Sequence, residues 1–297
     1  MKFFNKRNIT FTFLSIVAIL IIYGPLKELS SNTDYNEYYS HILLIPLVSG
    51  YFICIKRKAL FSNLEYSYLH GIILLVIGIL FYIVGREQRA QFNLNDYSSL
   101  ITFSGIIFWI GGIVLLYGIK TFQKISFPLL FLVFMIPIPA LLMDRVIYIL
   151  QAASAEATHL LFKITNIPFS REGFTFHLPG MTIEVAKQCS GIRSSLGLFI
   201  TGILAGHLFL KSGWRKVILA LLVFPITVFK NGIRITTLSA LAIYVDEKFI
   251  TQSFLHHSGG FIFFIPALLL LGAVVWYFRK SEQKSSSTEK TMDNKTS

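Results

Sequence analysis

Charged side chains are scarce in this 297-residue chain: Asp, Glu, Lys and Arg make up only 14 % of it, whereas soluble domains carry about 25 %. Apolar residues reach 54 %, and the mean hydropathy is +0.64. Apolar runs of about 20 residues, the length that crosses a hydrocarbon core about 30 Å thick, recur along the chain. The scarcity of charge therefore argues against a soluble protein and favours a polytopic membrane protein.

Acidic residues are the rarer charge, with 15 Asp and Glu against 27 Lys and Arg and a net charge of +12. The basic residues fall between apolar segments, as in cytoplasmic loops of membrane proteins, so we expect no nucleic-acid partner. This bias predicts a plasma-membrane protein with both termini cytoplasmic. The first apolar segment follows Lys2, Lys6 and Arg7 and has no small-residue cleavage site after it, which indicates a retained signal anchor.

The predicted fold is an all-α polytopic membrane protein of about eight transmembrane helices, with one domain over residues 1–280 and a disordered cytoplasmic tail at 281–297. An outer cap at 144–188 is expected to contain a small helix and a β-hairpin about Pro179–Gly180. The predicted spans lie near residues 8–25, 41–55, 69–85, 99–118, 127–143, 190–210, 217–238 and 259–278.

Cysteine is nearly absent as well: Cys54 and Cys189 are the two in the chain. The predicted topology places them on opposite membrane faces, which excludes a disulfide between them. The sequence also has no P-loop, no dinucleotide-binding fingerprint and no paired-histidine metal spacing. We therefore expect neither a cofactor nor a metal.

Ionisable residues near the predicted outer ends of the spans are the informative ones, because a charged group at membrane depth costs at least about 2.5 kcal/mol. Cys189 and Arg193 are four residues apart and would share one face of a helix. A helix N-terminus and a nearby cation both favour a thiolate. The alternative interpretation is a small buried cysteine beside an interfacial arginine.

Two further polar groups interrupt apolar sequence near the same predicted face. Asn231 and Arg234 lie in "FKNGIRI", and His256 and His257 lie in "FLHHSGG". Each group has a structural alternative, a headgroup anchor for the first and a polar helix entry for the second. Together, a thiol, a fixed cation and a proton carrier are the groups that acyl transfer on a peptide requires.

Three stretches resemble the exosortase/archaeosortase family of membrane cysteine transpeptidases over roughly residues 35–278. "VAKQCSGIRSS" is similar to the family's Cys-Ser-Gly-x-Arg motif, "NGIRI" to its Asn-x-x-Arg segment, and "HHSGG" to the His-x-x-x-Gly start of its last span. The resemblance implies that Cys189 is the nucleophile and Arg234 the invariant arginine. It implies supporting roles for Arg193 and Asn231. The third catalytic position is His256, counted back from Gly260, or its neighbour His257.

The resemblance also implies an activity. The enzyme would cleave the C-terminal sorting signal of secreted proteins, consisting of a short motif, a span and a basic tail, on the outer membrane face. Cys189 would form a thioester, which a lipid or glycan acceptor, or water, would resolve. Two alternatives are a transporter and a polysaccharide-export accessory protein without catalysis. Polar groups at one face, rather than at the midplane, count against a transporter.

Overall fold

A computed structural model describes residues 5–32, 38–60, 65–246 and 262–296 of the chain. The chain divides into two compact units, Met1–Met143 and Asp144–Ser297. The sequence predicted one domain over residues 1–280. The boundary between the two compact units falls at Asp144, where the predicted outer cap begins, and the single domain stays a prediction.

The described elements of the first unit are helices, and the central one is α4. They are α1 (Lys6–Ser31), α2 (Leu44–Leu60), α3 (Tyr68–Glu87), α4 (Leu94–Tyr117), α5 (Ile119–Lys124) and α6 (Ser126–Phe131), followed by a 3₁₀ turn (Leu132–Met135). Helix α4 starts where Asn93 Oδ1 accepts a hydrogen bond from the Asp96 amide at 2.8 Å, a side-chain N-cap. It packs against both α1 and α3.

Glycines bring α3 and α4 together backbone to backbone. A Cβ atom built on Gly71 would lie 2.4 Å from the Cα of Leu115, and one on Gly111 would lie 2.8 Å from the backbone nitrogen of Leu75. Small residues at such crossings let membrane helices approach closely and gain van der Waals contact. The first unit is therefore a tightly packed helical bundle around α4.

The second unit combines helices with a small sheet. It holds most of α7 (Ala140–Ile164), then β1 (Ser170–Glu172), β2 (Thr175–Leu178), β3 (Met181–Glu184), a 3₁₀ turn (Lys187–Ser190), α8 (Ile192–Phe209), α9 (Gly213–Tyr244) and α10 (Phe264–Thr296). The strands are antiparallel in the order β1-β2-β3, with Leu178 opposite Met181. The predicted hairpin about Pro179–Gly180 is confirmed. Strand β1 was not predicted, because its three residues carry no apolar alternation.

The sheet packs on α7 through aromatic side chains. Phe162 of α7 and Phe176 of β2 are both 0 % exposed, and their rings meet edge to face at 5.4 Å. Val185, at the end of β3, joins the same cluster. This packing fixes the strand that leads directly into the turn carrying Cys189.

Six of the described helices are long and apolar enough to cross a membrane, or seven if the bent pair Ser126–Met135 and Ala140–Ile164 is one span. The sequence predicted about eight spans. Its second segment, 41–55, forms α2, whose apolar part Leu44–Lys56 is shorter than the others. The prediction of an all-α polytopic membrane protein with a small strand-containing segment is confirmed.

Helix α10 extends into the segment predicted to be a disordered tail, since it continues to Thr296. The start of that segment makes specific contacts. Glu282 accepts hydrogen bonds from the backbone amides of Lys211 and Ser212 at 3.0 and 2.9 Å. These contacts tie α10 to the connection between α8 and α9.

Candidate active site

The segment around Cys189 is a turn rather than the first turn of a long helix. Lys187–Ser190 form a 3₁₀ helix, Gly191 has φ 78° and ψ 14°, and α8 begins at Ile192. A left-handed residue of this kind is accessible to glycine at little cost. The backbone of Cys189 therefore lies just before the helix, while its side chain lies outside the described part of the structure.

This turn corrects one prediction about Arg193. Cys189 and Arg193 were expected to share a helical face at four-residue spacing. That prediction is wrong, because the left-handed backbone at Gly191 separates the 3₁₀ turn from α8. Arg193 lies in the first turn of α8 with an exposed side chain.

Gly191 rests against Asn231 of α9. A Cβ atom built on Gly191 would lie 3.4 Å from both Cγ and Oδ1 of Asn231. Asn231 is 0 % exposed, and its Nδ2 donates a hydrogen bond to Ser154 Oγ of α7 at 3.1 Å. The side chain of Asn231 thus joins α9 to α7 and lies beside the turn.

A second link between α9 and the turn runs through Lys230. Its Nζ donates a hydrogen bond to Ser194 Oγ. Ser194 Oγ in turn donates to the carbonyl oxygen of Gly191 at 2.9 Å, and Ser195 Oγ donates to the same oxygen at 2.8 Å. The Gly191 carbonyl therefore accepts hydrogen bonds from two hydroxyls, and one of these, that of Ser194, accepts a hydrogen bond from the Lys230 ammonium.

Helix α7 supports the approach to the turn. Gln151 Nε2 donates a hydrogen bond to the Val185 carbonyl at 2.5 Å. A Cβ atom built on Gly232 would lie 2.9 Å from Cβ of Ala157, so α7 and α9 cross closely beside Asn231. Ser190, next to Cys189, is 0 % exposed, and its Oγ makes no hydrogen bond within the described structure. A buried hydroxyl of this kind is costly unless a partner satisfies it.

The structure describes some of the predicted site residues and not others. Asn231 contacts the turn, and Arg234 follows it by three residues on α9 with a half-buried side chain. His256 and His257 lie outside the described residues. Within the described ranges, no group of three or more His, Cys, Asp and Glu could hold a metal ion.

Two residues of the site were not predicted to belong to it. Lys230 was visible in the sequence as a charge inside an apolar segment, but no role followed from that. Ser194 gave no signal beyond following the Cys-Ser-Gly-x-Arg motif. Their pairing joins residues 36 positions apart, which helical periodicity cannot indicate.

Comparison with known proteins identifies a family. The chain matches the family model described as transmembrane exosortase over residues 30–273. The matched range includes Cys189, Arg234 and both histidines of "HHSGG". No curated protein and no solved structure matches the chain. Because the match covers most of the sequence, the chain belongs to the transmembrane exosortase family.

Proposed function

We propose that this protein is a membrane cysteine transpeptidase that removes the C-terminal sorting signal of secreted proteins and transfers them to a surface acceptor. Membership of the transmembrane exosortase family supports a membrane transpeptidase or protease role in general. The residues that would carry the reaction are Cys189, Arg234 and His256, with His257 as the alternative proton donor. Arg193 and Asn231 would support them.

The proposed reaction has two steps. The Cys189 thiolate attacks the scissile carbonyl carbon, and Arg234 stabilises the oxyanion that forms. His256 gives its proton to the departing amine, the C–N bond breaks, and a thioester to Cys189 is left. An amine of a lipid or glycan acceptor then attacks the thioester carbonyl and gives up a proton to His256, and the C–S bond breaks to release the thiolate. Attack by water instead would make the enzyme a protease.

One observation carries the proposal: the motif turn approaches α9 so closely that a Cβ atom built on Gly191 would lie 3.4 Å from the Asn231 amide. This contact brings the turn that carries Cys189 to the helix that carries Arg234. Two stretches that are 40 residues apart in sequence therefore meet within one compact unit. A nucleophile and an oxyanion-stabilising cation need such proximity.

We further propose that this site lies on the extracytoplasmic face, because the basic loops are then cytoplasmic. A cysteine introduced at Thr175 in the sheet, in a background with both Cys54→Ala and Cys189→Ala, should react with a membrane-impermeant maleimide in intact cells. Reaction only after lysis would place the sheet in the cytoplasm and contradict this orientation.

The test of function is processing of a secreted protein that ends in a motif, a span and a basic tail, in cells that express each variant at matched levels. Cys189→Ala should abolish cleavage, since no other group can form the thioester. Cys189→Ser should be nearly as inactive, because a hydroxyl does not ionise as a thiol does. Cys54→Ala, which removes an exposed thiol in α2, is the control and should cleave normally. Normal cleavage by Cys189→Ala would restore the transporter alternative.

A further inference from the structure

Lys230 is the most deeply buried charged side chain in the described structure, with 8 % of its surface exposed. It lies within α9, one of the helices long and apolar enough to cross a membrane. A charge at such a position is costly, and intramembrane ionisable residues are therefore functional candidates. A long side chain that only anchored the helix would extend towards the headgroups.

The partner of Lys230 distinguishes it from two buried hydroxyl residues of α9. Thr227 Oγ1 donates to the Val223 carbonyl at 2.8 Å, and Ser239 Oγ donates to the Ile235 carbonyl at 2.8 Å, both within their own helix. Lys230 instead donates to Ser194 Oγ of α8. Its charge is thus directed across to the first turn of the neighbouring helix.

That first turn is directly connected to the nucleophile. Ser194 Oγ donates to the Gly191 carbonyl at 2.9 Å, and Gly191 is two residues from Cys189. Consecutive Cα atoms are about 3.8 Å apart, so this carbonyl lies close to the backbone of Cys189. Asn231, the next residue of α9, contacts the same glycine. Two adjacent residues of α9 therefore contact or hold the turn.

We propose that Lys230 is a positioning residue for the nucleophile: through Ser194 it fixes the turn that carries Cys189, and its positive charge favours the thiolate form of that cysteine. The inference rests on the proposed role of Cys189. It adds a buried cation to the three groups that the family motifs imply. A buried cation is suited to this role because water screens it little.

Other charged groups in this unit differ from Lys230 in exposure or position. Arg193 of α8 is exposed, and Arg234 lies one helical turn along α9 from Lys230. Lys187, in the Cys189 turn itself, pairs with Asp144 at 3.3 Å, and its side chain is 66 % exposed. On α7, Glu156 pairs with Arg171 at 2.9 Å and His159 packs edge to face on Phe169. Lys187 therefore offers a matched control: the same charge, close to Cys189 in sequence, but in solvent.

The test measures how fast iodoacetamide alkylates Cys189 between pH 5.5 and 10, in the full-length Cys54→Ala protein in detergent, by intact mass. An opposite charge nearby lowers a thiol pKa by about 1–3 units. Lys230→Met should therefore move the alkylation profile to higher pH by about one unit. The rate below the thiol pKa should fall about tenfold and recover at high pH. Lys187→Met should change it less than about twofold, because its charge is exposed and paired.

Further variants distinguish the effect of the Lys230 charge from the effect of its hydrogen bond to Ser194. Lys230→Arg keeps the charge and should restore most of the shift, whereas Lys230→Gln should behave as Lys230→Met does. Ser194→Ala keeps the ammonium but removes its link to the Gly191 carbonyl, and should slow alkylation at all pH values. Thermal unfolding and size-exclusion profiles of each variant identify those that fold.

The inference is wrong if folded Lys230→Met and Lys230→Gln keep the parent pH profile, or if Lys187→Met shifts it equally. If neither Lys230 variant folds, Ser194→Ala decides, and an unchanged alkylation rate in that variant contradicts the inference. Alkylation needs no substrate, so this result is independent of the processing assay. An unshifted profile together with loss of processing in Cys189→Ala would overturn the role of Lys230 alone.

Discussion

Two buried asparagines, one in each compact unit, illustrate what buried polarity in an apolar helix can mean. Asn95 of α4 is 1 % exposed. It accepts from the Tyr39 hydroxyl at 2.7 Å and donates to the Ile138 carbonyl at 2.6 Å. Asn231 of α9 is 0 % exposed, donates to Ser154 and packs on Gly191.

The two asparagines differ in the part of the chain that each side-chain amide contacts. Asn95 satisfies a carbonyl at the proline-containing break 136–139, where Asp96 Oδ1 also accepts from the Ala140 amide at 2.7 Å and caps α7. Asn95 and Asp96 thus have a structural role, because they satisfy backbone groups where the chain is not helical. Asn231 holds the turn of the cysteine motif and lies next to the buried ammonium of Lys230. Burial alone therefore does not identify a functional polar residue. We propose a functional role for Asn231 because it is buried beside the cysteine motif.

Among the variants that compare the two units, the largest loss of processing is expected at Arg234. Arg234→Lys should reduce processing about 100- to 1000-fold, because a point charge does not reproduce the guanidinium donors and loss of an oxyanion donor costs about that much. The matched change in the first unit is Arg89→Lys, at a residue that pairs with Glu28 at 3.0 Å with 41 % of its side chain exposed. Arg89→Lys should process normally.

Equal loss of processing in both arginine variants would indicate a general requirement for folded protein. It would remove Arg234 from the proposed mechanism.

Exchanging the two asparagines for alanine tests the comparison itself. Asn231→Ala should lower processing at least about tenfold, because the amide beside Gly191 is lost together with its hydrogen bond to Ser154 of α7. Asn95→Ala leaves the Ile138 carbonyl unsatisfied and should destabilise the protein by about 1–3 kcal/mol. The Asn95→Ala protein that folds should nevertheless process normally.

The measurements are processing per unit of folded protein and the thermal midpoint in detergent. If Asn95→Ala loses as much processing per folded molecule as Asn231→Ala, the distinction between the two amides is wrong.

A matched pair of glycines gives the smallest expected effect on stability. Gly191 and Gly180 have φ 78° and 79°, so an alanine at either should cost about 1–2 kcal/mol in backbone strain. A Cβ atom at Gly180 would meet nothing within 4 Å, whereas one at Gly191 would meet Asn231. The two variants should therefore lose similar stability. Only Gly191→Ala should lose processing, because its backbone strain falls in the turn that carries Cys189.

Thermal unfolding checks the first half of this prediction and processing the second. Normal processing by Gly191→Ala would show that a glycine in the left-handed conformation at position 191 is not needed for activity.

Local features of the structure could be predicted from sequence more readily than long-range ones. The apolar runs indicated the helices, and Pro179–Gly180 indicated the hairpin of β2 and β3, because both signals depend on neighbouring residues. Strand β1 was missed because a three-residue polar strand has no period to detect. The tail was expected to be disordered from its composition, whereas contacts of Glu282 join its first turn to the α8–α9 connection.

The candidate site was only partly predictable for the same reason. Cys189, Arg234 and Asn231 could be selected because they are unusual in apolar sequence or match a family motif. The four-residue spacing of Cys189 and Arg193 gave a wrong prediction of a shared helical face, since Gly191 in the left-handed conformation separates the 3₁₀ turn from α8. The pairing of Lys230 with Ser194 depends on which faces of α8 and α9 meet, and two separate periodic patterns do not determine that.

The most direct test of the central claim is detection of the thioester on Cys189. Cells that express the Cys54→Ala protein together with a secreted protein bearing a C-terminal motif, span and basic tail are quenched in acid. The peptide that contains Cys189 is then analysed by mass spectrometry. The account predicts an adduct of the cleaved substrate on Cys189 that neutral hydroxylamine removes and that Arg234→Lys diminishes. Continued processing with no adduct on this peptide would contradict the account.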